Sequence, residues 1–380
     1  EILQNNSIKN RKIIFLDGNK FGRKADKKKN IKQKKYINQL NAHIIDESTL
    51  KIPIKIFIKN ILWQGMLQKN LNKNKGNKIN LISSRIYQKI YADYLSHLIM
   101  NHYLNIKIIF SKDDYNPVHI TRTIVQNKYN LLNFGVQHSA FGYPFLHLEN
   151  TYTYFDNNYV VGKNFINLWK PYWIVNKNYI PVGAKRSHLL LKDNICNEKR
   201  KFFIEKYKDK ICILIMIGSV SSIHTPSWLY KRKFENIYKL LNINENIQII
   251  FRPRTPNTVK EFLEIMPHLN RFIVSGRISI EYEDFETQEL ISFVDIFVAE
   301  DNSESILEAI SLDNILILSY AQRYPFIDLL KGIMMKDLDE LYSTISNFIN
   351  NNEYPEFNKN NIDFIKNNYV MPNKESSWHR

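Results

Sequence analysis

Three short polar stretches in the second half of the sequence each follow an apolar run, and their residue types suit a bound phosphate. Gly218 and the serines after it combine small side chains with hydroxyl donors. Arg252 and Arg254 offer forked guanidinium groups, and residues 300–305 add carboxylates and hydroxyls. The residues assigned to a nucleotide-phosphate site are Gly218, Ser219, Ser221, Arg252, Arg254, Asn302, Ser303, Glu304 and Ser305.

The apolar runs around these stretches predict the elements that position them. Residues 211–217, 247–251 and 296–299 are short and apolar, which is typical of strands in a parallel sheet that is buried on both faces. Residues 272–274 predict a further short strand. A helical pattern and another apolar run, 315–318, follow residue 305 and complete a βαβ unit. Because ligands bind outside the carboxyl ends of such strands, the polar stretches are expected at one edge of the sheet.

A second β-α-β pattern occurs in the first half of the chain. Residues 106–110 predict a strand, 117–128 a helix that begins with proline, and 131–136 the next strand. His138 then falls at the carboxyl end of a strand beside small residues. Imidazole titrates near neutral pH, so His138 is the candidate general base. The alternative is that His138 only hydrogen-bonds the following loop.

Two more segments precede this pattern. Residues 82–100 carry apolar side chains at helical spacing and predict a long helix. Residues 52–61 are apolar with interspersed lysines, and their pattern fits either a strand or a helix.

The length and the charge limit the class of protein. A chain of 380 residues predicts two domains or one large one. Its net charge of +16 favours an anionic partner, although an AT-rich genome would also enrich lysine, asparagine and isoleucine. The densest basic run, residues 20–35, is interpreted as a solvated segment, with an anionic membrane or glycan patch as the alternative. Nucleic acid is not the expected partner, because the run has a single aromatic residue and no RNA-binding signature, so stacking on bases is not encoded there.

Cysteines and apolar segments indicate the compartment. Cys196 and Cys212 have neither metal nor disulfide spacing, which fits a reducing environment, and Cys212 is expected in the core. The sequence has no apolar stretch near the length of a membrane span and no signal peptide. We therefore expect a cytoplasmic protein, with peripheral attachment to the inner face of the cytoplasmic membrane left open. The acidic clusters at 113–114 and 281–286 are expected in solvated turns, and no strand end carries an Asp-x-Asp metal motif.

The order of several motifs resembles a known family. Gln137 and His138 follow a β-α-β unit, and the segments 154–163 and 180–186 come next. Arg252-Pro253 follows, and then the segment 301–309, DNSESILEA. This succession, over residues 106–318, resembles the GT-B glycosyltransferases of bacterial surface-polysaccharide synthesis, including capsule and lipopolysaccharide transferases and CDP-glycerol glycerophosphotransferases. Three residues depart from the family pattern: Ser139 replaces a usual glycine, Arg254 a common histidine, and Glu304 interrupts a serine pair.

The resemblance implies an α/β fold of the GT-B type, with two Rossmann-like domains that face an interdomain cleft. Residues 1–195 would form the acceptor-binding domain, 205–350 the nucleotide-donor domain, and 351–380 a closing helix and tail. It also implies catalysis without a metal, because cations and helix dipoles neutralise the leaving phosphate. The roles that it assigns are catalytic for His138, Glu300 and Asp301, and acceptor-binding for Gln137, Ser139, Lys185 and Arg186.

The expected function is transfer of a sugar from a nucleotide-activated donor to a hydroxyl of a bacterial surface glycan. The donor is a co-substrate, CMP-, CDP- or UDP-linked, and a CMP-linked acidic sugar would suit the basic charge; no other cofactor is expected. The acceptor would be a glycan or a lipid-linked glycan. Two alternatives remain open: a CDP-glycerol or CDP-ribitol phosphotransferase, and a non-catalytic protein that binds nucleic acid or membrane. Linkage, stereochemistry and oligomeric state are left open.

Overall fold

A computed structural model of the chain defines the fold. The described residues are 14–17, 43–46, 53–73, 78–104, 106–111, 118–137, 153–171, 178–184, 187, 197–218, 227–253, 256–282, 284–299, 304–312, 316–318, 329, 335, 337–351, 353 and 359–371.

Six strands in the described part of the first half form two sheets. The first sheet pairs β1 with β2 in parallel. The second has the order β3-β4-β5-β6, with β3 and β4 parallel. The strands are β1 (Ile14–Asp17), β2 (His43–Asp46), β3 (Ile108–Ser111), β4 (Leu132–Val136), β5 (Asn157–Val160) and β6 (Asn178–Pro181). The strands predicted at 106–110 and 131–136 are confirmed, and β2 was not predicted.

Helices accompany these strands. The segment 52–61, which fitted either a strand or a helix, is helical from residue 54. The predicted long helix over 82–100 is confirmed and extends further at both ends. The helices of the first half are α1 (Ile54–Lys73), α2 (Lys78–Leu104), α3 (Val118–Lys128) and α4 (Lys163–Trp169). Helix α1 packs on α2 through Trp63 and Tyr91, whose ring centroids are 3.8 Å apart.

The second half contains a five-stranded sheet in which every pair of neighbours is parallel. Its order is β11-β10-β7-β8-β9. The strands are β7 (Ile211–Ile217), β8 (Ile247–Pro253), β9 (Ile278–Ile280), β10 (Ile296–Val298) and β11 (Leu316–Leu318). Strand β8 and strand β10 are buried almost throughout, as a parallel sheet covered on both faces requires.

Helices follow the strands of this sheet in turn. The helices of the second half are α5 (Asn197–Lys206), α6 (Ser227–Ile243), α7 (Pro256–Ile265), α8 (Asn270–Val274), α9 (Thr287–Phe293), α10 (Glu304–Ala309), α11 (Leu338–Asn351) and α12 (Lys359–Ile365), which a π-helical turn (Lys366–Val370) continues. In the described part of the chain, no helix combines the length and the apolarity that crossing a bilayer needs.

One predicted strand of the second half is wrong. Residues 272–274 belong to α8, and the strand lies at Ile278–Ile280 instead. Phe272 is buried, whereas Val274 two positions later is 80% exposed, although a strand would turn both to the same face. Three apolar residues satisfy the helical and the strand periods equally, so tertiary packing decides between them.

The core around the five-stranded sheet is built from its strands and from the apolar faces of the helices that pack on it. Phe234 of α6 packs on Phe251 of β8 and Phe262 of α7, with ring centroids 5.9 and 4.9 Å away. All three side chains are fully buried. Burial of a phenylalanine stabilises the fold by about 1.5–3 kcal/mol, so this cluster fixes α6 and α7 against the central strands.

The π-helical turn, with which the described part of the chain closes, packs against residues that follow β5 and β6. The amide of Ala184 donates a hydrogen bond of 2.7 Å to the carbonyl of Val370. A Cβ added at Gly162 would lie 2.5 Å from the carbonyl oxygen of Asn368, so a side chain does not fit there. Phe165 of α4 meets Tyr369 edge-on at 5.3 Å. The π-helical turn is therefore anchored to the region 162–184.

The chain divides into two compact units. The first contains the described residues of Glu1–Val136, Tyr152–Asn158 and Trp173–Asn178, and the second contains those of Gln137–Thr151, Tyr159–Tyr172 and Tyr179–Arg380. The domain boundary near residues 195–205 stays a prediction from the sequence.

Candidate functional site

The strand order of the five-stranded sheet reverses between β7 and β10. The chain begins in the centre with β7, adds β8 and β9 on one side, and then crosses to β10 and β11 on the other. Val298 of β10 pairs with Ile215 of β7, so these strands end near the same level of the sheet. In open parallel sheets, ligands bind outside the carboxyl ends of the strands at this reversal point. Gly218 follows β7 directly, and the segment that starts at Glu300 follows β10.

Arg252 lies at the carboxyl end of the neighbouring strand β8. It is in register with Met216 of β7. Its Nη1 donates a hydrogen bond of 3.0 Å to the main-chain carbonyl of Glu281, and its guanidinium carbon lies 5.7 Å from the centre of the Tyr282 ring. Burial lowers the pKa of Arg252, and the nearby Glu286, Tyr282 and Glu281 oppose this. Because a guanidinium stays protonated in proteins, Arg252 places an oriented positive charge at this edge.

Glu281 is held by hydrogen bonds of its buried carboxylate to the exposed Lys206 and the buried Tyr207. Its Oε1 accepts a hydrogen bond of 2.8 Å from Lys206 and lies 3.1 Å from the hydroxyl of Tyr207. Burial alone would lower the pKa of Lys206, but the hydrogen bonds to Glu281 and Tyr207 outweigh it, and the pKa is raised. The expectation that the acidic cluster 281–286 lies in a solvated turn is therefore wrong for Glu281, which is buried.

Lys233 is a second cation near this edge that was not predicted from the sequence. The side chain is buried on α6, and its Nζ donates a hydrogen bond of 3.1 Å to the carbonyl of Met216. The hydroxyl of Tyr342 donates one of 3.0 Å to the carbonyl of Lys233. Its burial could have been inferred from the sequence, because Lys233 stands at helical spacing from Ile237 and Leu240, on the apolar face of α6.

Two predicted donor residues begin the short helix α10. Glu304 is half-buried and Ser305 is buried. Further along the helix, Glu308 is also buried, and its Oε2 accepts a hydrogen bond of 2.9 Å from Gln288 of α9. Glu308 was not predicted as a site residue. It lies in the segment 301–309 that carries the family resemblance, which is a signal in the sequence, whereas its partner Gln288 lies 20 positions earlier and gives no local signal.

Among the predicted site residues, the structure describes Gly218, Arg252, Glu304, Ser305 and Gln137. The remaining predicted residues lie outside the described part of the chain: the catalytic candidates His138, Glu300 and Asp301, the donor candidates Ser219, Ser221, Arg254, Asn302 and Ser303, and the acceptor candidates Ser139, Lys185 and Arg186. Their roles stay predictions.

Gln137 links the carboxyl ends of β4 and β5. Its amide donates to the carbonyl of Tyr159 at 2.9 Å, and its side-chain Oε1 accepts from the amide of Val161 at 3.0 Å. The side chain is buried. These bonds extend the sheet by one residue beyond β4, so Gln137 fixes the point at which the chain leaves the strand toward His138.

Metal and thiol chemistry have no support among the described residues. No group of three or more histidine, cysteine, aspartate or glutamate side chains there could hold a metal ion. Cys212 is buried in β7, which confirms its predicted place in the core. Burial and the charge of Asp295 raise the pKa of Cys212 to about 12. A thiol with such a pKa stays protonated and is not a nucleophile at neutral pH. Metal independence stays a prediction.

The comparisons with known proteins concern the fold. The sequence matches no protein-family model, and no curated protein is similar to it. The UDP co-structure of MnaA from S. aureus is similar, with 12% identity, a TM-score of 0.52 and coverage of 76% of each chain. A putative UDP-N-acetylglucosamine 2-epimerase from Listeria monocytogenes has 9% identity, a TM-score of 0.51 and the same coverage.

A third similar structure covers more of the chain. It is the UDP-GlcNAc 2-epimerase from Methanocaldococcus jannaschii, with 12% identity, a TM-score of 0.50, and coverage of 92% of this chain and 88% of that one. At such identities, the likeness establishes the architecture alone. The chain has an α/β fold of the GT-B type with Rossmann-like parallel sheets.

Proposed function

We propose that the chain is an enzyme that binds a nucleotide-activated sugar at the carboxyl edge of its five-stranded sheet. The observation that carries this proposal is the reversal of strand order between β7 and β10, because phosphorylated ligands bind at such points. Gly218 directly follows β7 and has no Cβ, which allows a phosphate to approach the main chain there. The UDP named in the S. aureus co-structure, which has this fold, supports a uridine nucleotide.

Arg252 would neutralise the phosphates of the donor. A guanidinium recognises phosphate oxygens through parallel N–H donors, and Arg252 is oriented by the carbonyl of Glu281 and the ring of Tyr282. The buried ammonium of Lys233 adds positive potential near the carboxyl end of β7. A leaving nucleotide carries its developing negative charge on phosphate oxygens, so cations at this edge would lower the barrier to its departure.

The reaction that we propose is glycosyl transfer to a hydroxyl group of a bacterial surface glycan. The acceptor oxygen attacks the anomeric carbon, the bond from that carbon to the phosphate oxygen breaks, and the nucleotide departs with the bonding electrons. His138 would take the proton of the acceptor hydroxyl as general base. The order of the motifs around Gln137, Arg252 and Ser305 supports this assignment.

Epimerisation of a UDP-sugar is the second candidate, because the similar structures named above include UDP-GlcNAc 2-epimerases. It requires the same nucleotide site but no acceptor. Transfer from a CDP-alditol would also use this site, with attack at phosphorus instead of at carbon. The three reactions differ in their products, and transfer from a CDP-alditol also requires a cytidine nucleotide.

A nucleotide panel tests the shared part of the proposal. UDP, CDP, CMP and ADP are added to the protein, and the thermal midpoint is measured. A nucleotide at 100 times its Kd stabilises the fold by about 2.7 kcal/mol. We expect a uridine or cytidine nucleotide to raise the midpoint, and we expect Arg252→Gln to abolish the shift. Arg271→Gln, at an exposed arginine of α8, is the matched control and should leave it intact.

The products then separate the candidate reactions. A transferase releases the nucleotide from its sugar only when a hydroxyl acceptor is present. An epimerase converts UDP-GlcNAc into its C2 epimer without any acceptor, and proton exchange at C2 with heavy water would show it. Absence of a thermal shift with every nucleotide would overturn the nucleotide site itself.

A further inference from the structure

Helix α1 exposes an apolar face to solvent. Six large apolar side chains on this helix are between 45% and 69% exposed. They are Ile54, Phe57, Ile58, Ile61, Leu62 and Met66. At 3.6 residues per turn these positions cover about half of the helix circumference. An apolar surface of this breadth on one helix is unusual for a face that stays in water.

The opposite face of α1 already has its packing partner. Ile56, Asn60 and Trp63 are half-buried, and they repeat at helical spacing. Trp63 stacks on Tyr91 of α2, and the Tyr91 hydroxyl donates to the carbonyl of Lys59 at 3.4 Å. The helix is therefore held on α2 by its inner face, and its six exposed apolar side chains are not used for that contact.

The charge of α1 is positive throughout. Lys55, Lys59 and Lys69 are exposed. At about 100° per residue, Lys59 lies at one edge of the apolar face, and Lys55 and Lys69 lie between apolar side chains on the same side of it. The sequence of the helix, Ile54–Lys73, contains no acidic residue. A broad exposed apolar face on a helix that carries lysines and no acidic residue suits the headgroup layer of an anionic membrane.

We propose that the outer face of α1 binds the surface of an anionic lipid bilayer. The apolar side chains enter the boundary between headgroups and acyl chains, and the long side chains of the lysines extend to the lipid phosphates. A second copy of this chain is a poorer occupant. In a symmetric dimer the same face meets itself, so the lysines of one copy would meet a face that carries lysines and no acidic residue. The inference does not depend on the proposed nucleotide chemistry.

Vesicle sedimentation of the full chain tests the proposal. We expect binding to vesicles that contain phosphatidylglycerol and much weaker binding to vesicles of phosphatidylcholine alone. The double variant Ile58→Glu and Leu62→Glu should lower the partition coefficient at least about tenfold, because it places charge where apolar side chains must insert. Lys55→Glu with Lys59→Glu should lower it on anionic vesicles and make it insensitive to added salt.

Ile243→Glu is the matched control. Ile243 is 66% exposed at the end of α6, outside the α1 face, so this variant should bind anionic vesicles as the wild type does. Thermal midpoints of all variants show whether they are folded.

A fluorescence measurement covers the case in which a charged variant does not fold. An environment-sensitive dye is attached at Leu62→Cys or at Ile243→Cys, in a chain that carries Cys196→Ser. We expect anionic vesicles to shift the emission to shorter wavelength at position 62 and not at position 243. Equal spectra at the two positions would contradict membrane insertion. The proposal would be overturned if the protein did not bind vesicles and instead formed a concentration-dependent dimer that the double variant Ile58→Glu and Leu62→Glu dissociated. The apolar face of α1 would then be a self-association surface.

Discussion

Arg252 donates a hydrogen bond of 3.0 Å to the main-chain carbonyl of Glu281, which is the residue that follows β9. Strands β8 and β9 are neighbours, so the bond crosses the sheet at its carboxyl edge. The carboxylate of Glu281 is itself held by Lys206. The guanidinium is thus oriented before a ligand arrives, and a ligand that meets a fixed donor loses less conformational entropy on binding.

Replacement of Arg252 by lysine tests the importance of this orientation. Lysine keeps the charge but lacks the planar fork that reaches Glu281 and a phosphate together. We expect the Kd of the donor nucleotide to rise about tenfold, which corresponds to about 1.4 kcal/mol. Isothermal titration measures it. Arg271→Lys at the exposed surface should leave the Kd unchanged, and equal affinity for Arg252→Lys would show that only the charge matters.

His138→Ala tests the proposed general base. A general base contributes typically 10²–10⁴-fold to the rate. We expect kcat to fall at least about a hundredfold while the Kd of the donor nucleotide stays near that of the wild type, since the base acts in the transition state. The measurement is the initial rate of nucleotide release with the donor that the panel identifies.

A structural role for His138 gives a different result. The variant would then lose thermal stability or acceptor affinity and would keep kcat within about tenfold of the wild type. A folded variant with a nearly normal kcat would remove His138 from the catalytic residues.

Chelation tests whether cations of the protein suffice for the leaving phosphate. We propose that Arg252 and its neighbours neutralise it, so activity should persist in excess EDTA. Turnover is measured before and after dialysis against the chelator. Loss of turnover that Mg²⁺ or Mn²⁺ restores would show that a metal ion shares this task.

His97 should make the stability of the fold dependent on pH. The imidazole is buried on α2, and neither ring nitrogen has a hydrogen-bond partner among the described residues. Burial, and then the charge of Arg122, lowers the pKa of His97 to about 4. An unfolded chain takes up the proton near pH 6.5, whereas the folded chain resists it. The stabilisation is therefore complete above about pH 6.5 and is lost as the pH falls toward about 4.

Urea unfolding at two pH values measures this effect. The free energy of unfolding should decrease by about 2 kcal/mol more between roughly pH 7.5 and pH 5 in the wild type than in His97→Phe. His102→Phe changes an exposed histidine of the same helix and is the control, which should keep the dependence of the wild type. An equal change in the free energy of unfolding with pH in the wild type and in His97→Phe would show that His97 does not cause the pH dependence.

Two glycines with left-handed backbone provide a matched pair for the packing at the end of the chain. Gly183 has φ +87, and a Cβ there would clash with the carbonyl oxygen of Met371. Gly276 has φ +76 and open space around it. Gly276→Ala should cost about 1 kcal/mol for the backbone alone. Gly183→Ala should cost at least about 1–3 kcal/mol more, because well-packed backbone must move. Thermal midpoints of both variants measure the difference. Similar values would mean that the main chain around Met371 moves aside at little cost.

The five-stranded sheet could be predicted because the apolar run of a strand is visible in the local sequence. Residues 211–217 are an uninterrupted apolar run, and 247–251 are apolar except for Gln248. Such short runs, bounded by turn residues, are typical of buried strands. The order of the motifs also indicated the GT-B fold. The short strand His43–Asp46 and the helix at Asn270–Val274 have no such signal, since a few apolar residues fit either type of element.

The candidate site was predictable only in part, for a related reason. Gly218 and Arg252 follow apolar runs and are visible in the sequence. The burial of Glu281 depends on Lys206, 75 positions earlier, and on Tyr207, so a local pattern could not show it. Lys233 was missed because a lysine near a helix surface is ordinarily solvated, although its spacing placed it on the apolar face.

The hydrogen bond between Ala184 and Val370 has a consequence for how the protein matures on the ribosome. The two residues are separated by roughly 190 positions, and synthesis adds about 5–20 residues per second. The segment after β6 therefore leaves the ribosome about ten to forty seconds before the residues around Val370 with which it pairs. During that interval Gly162 and Gly183 lack the main chain of residues 368–371 that packs on them in the finished molecule. The nascent chain can close this region only after residues 368–371 have emerged.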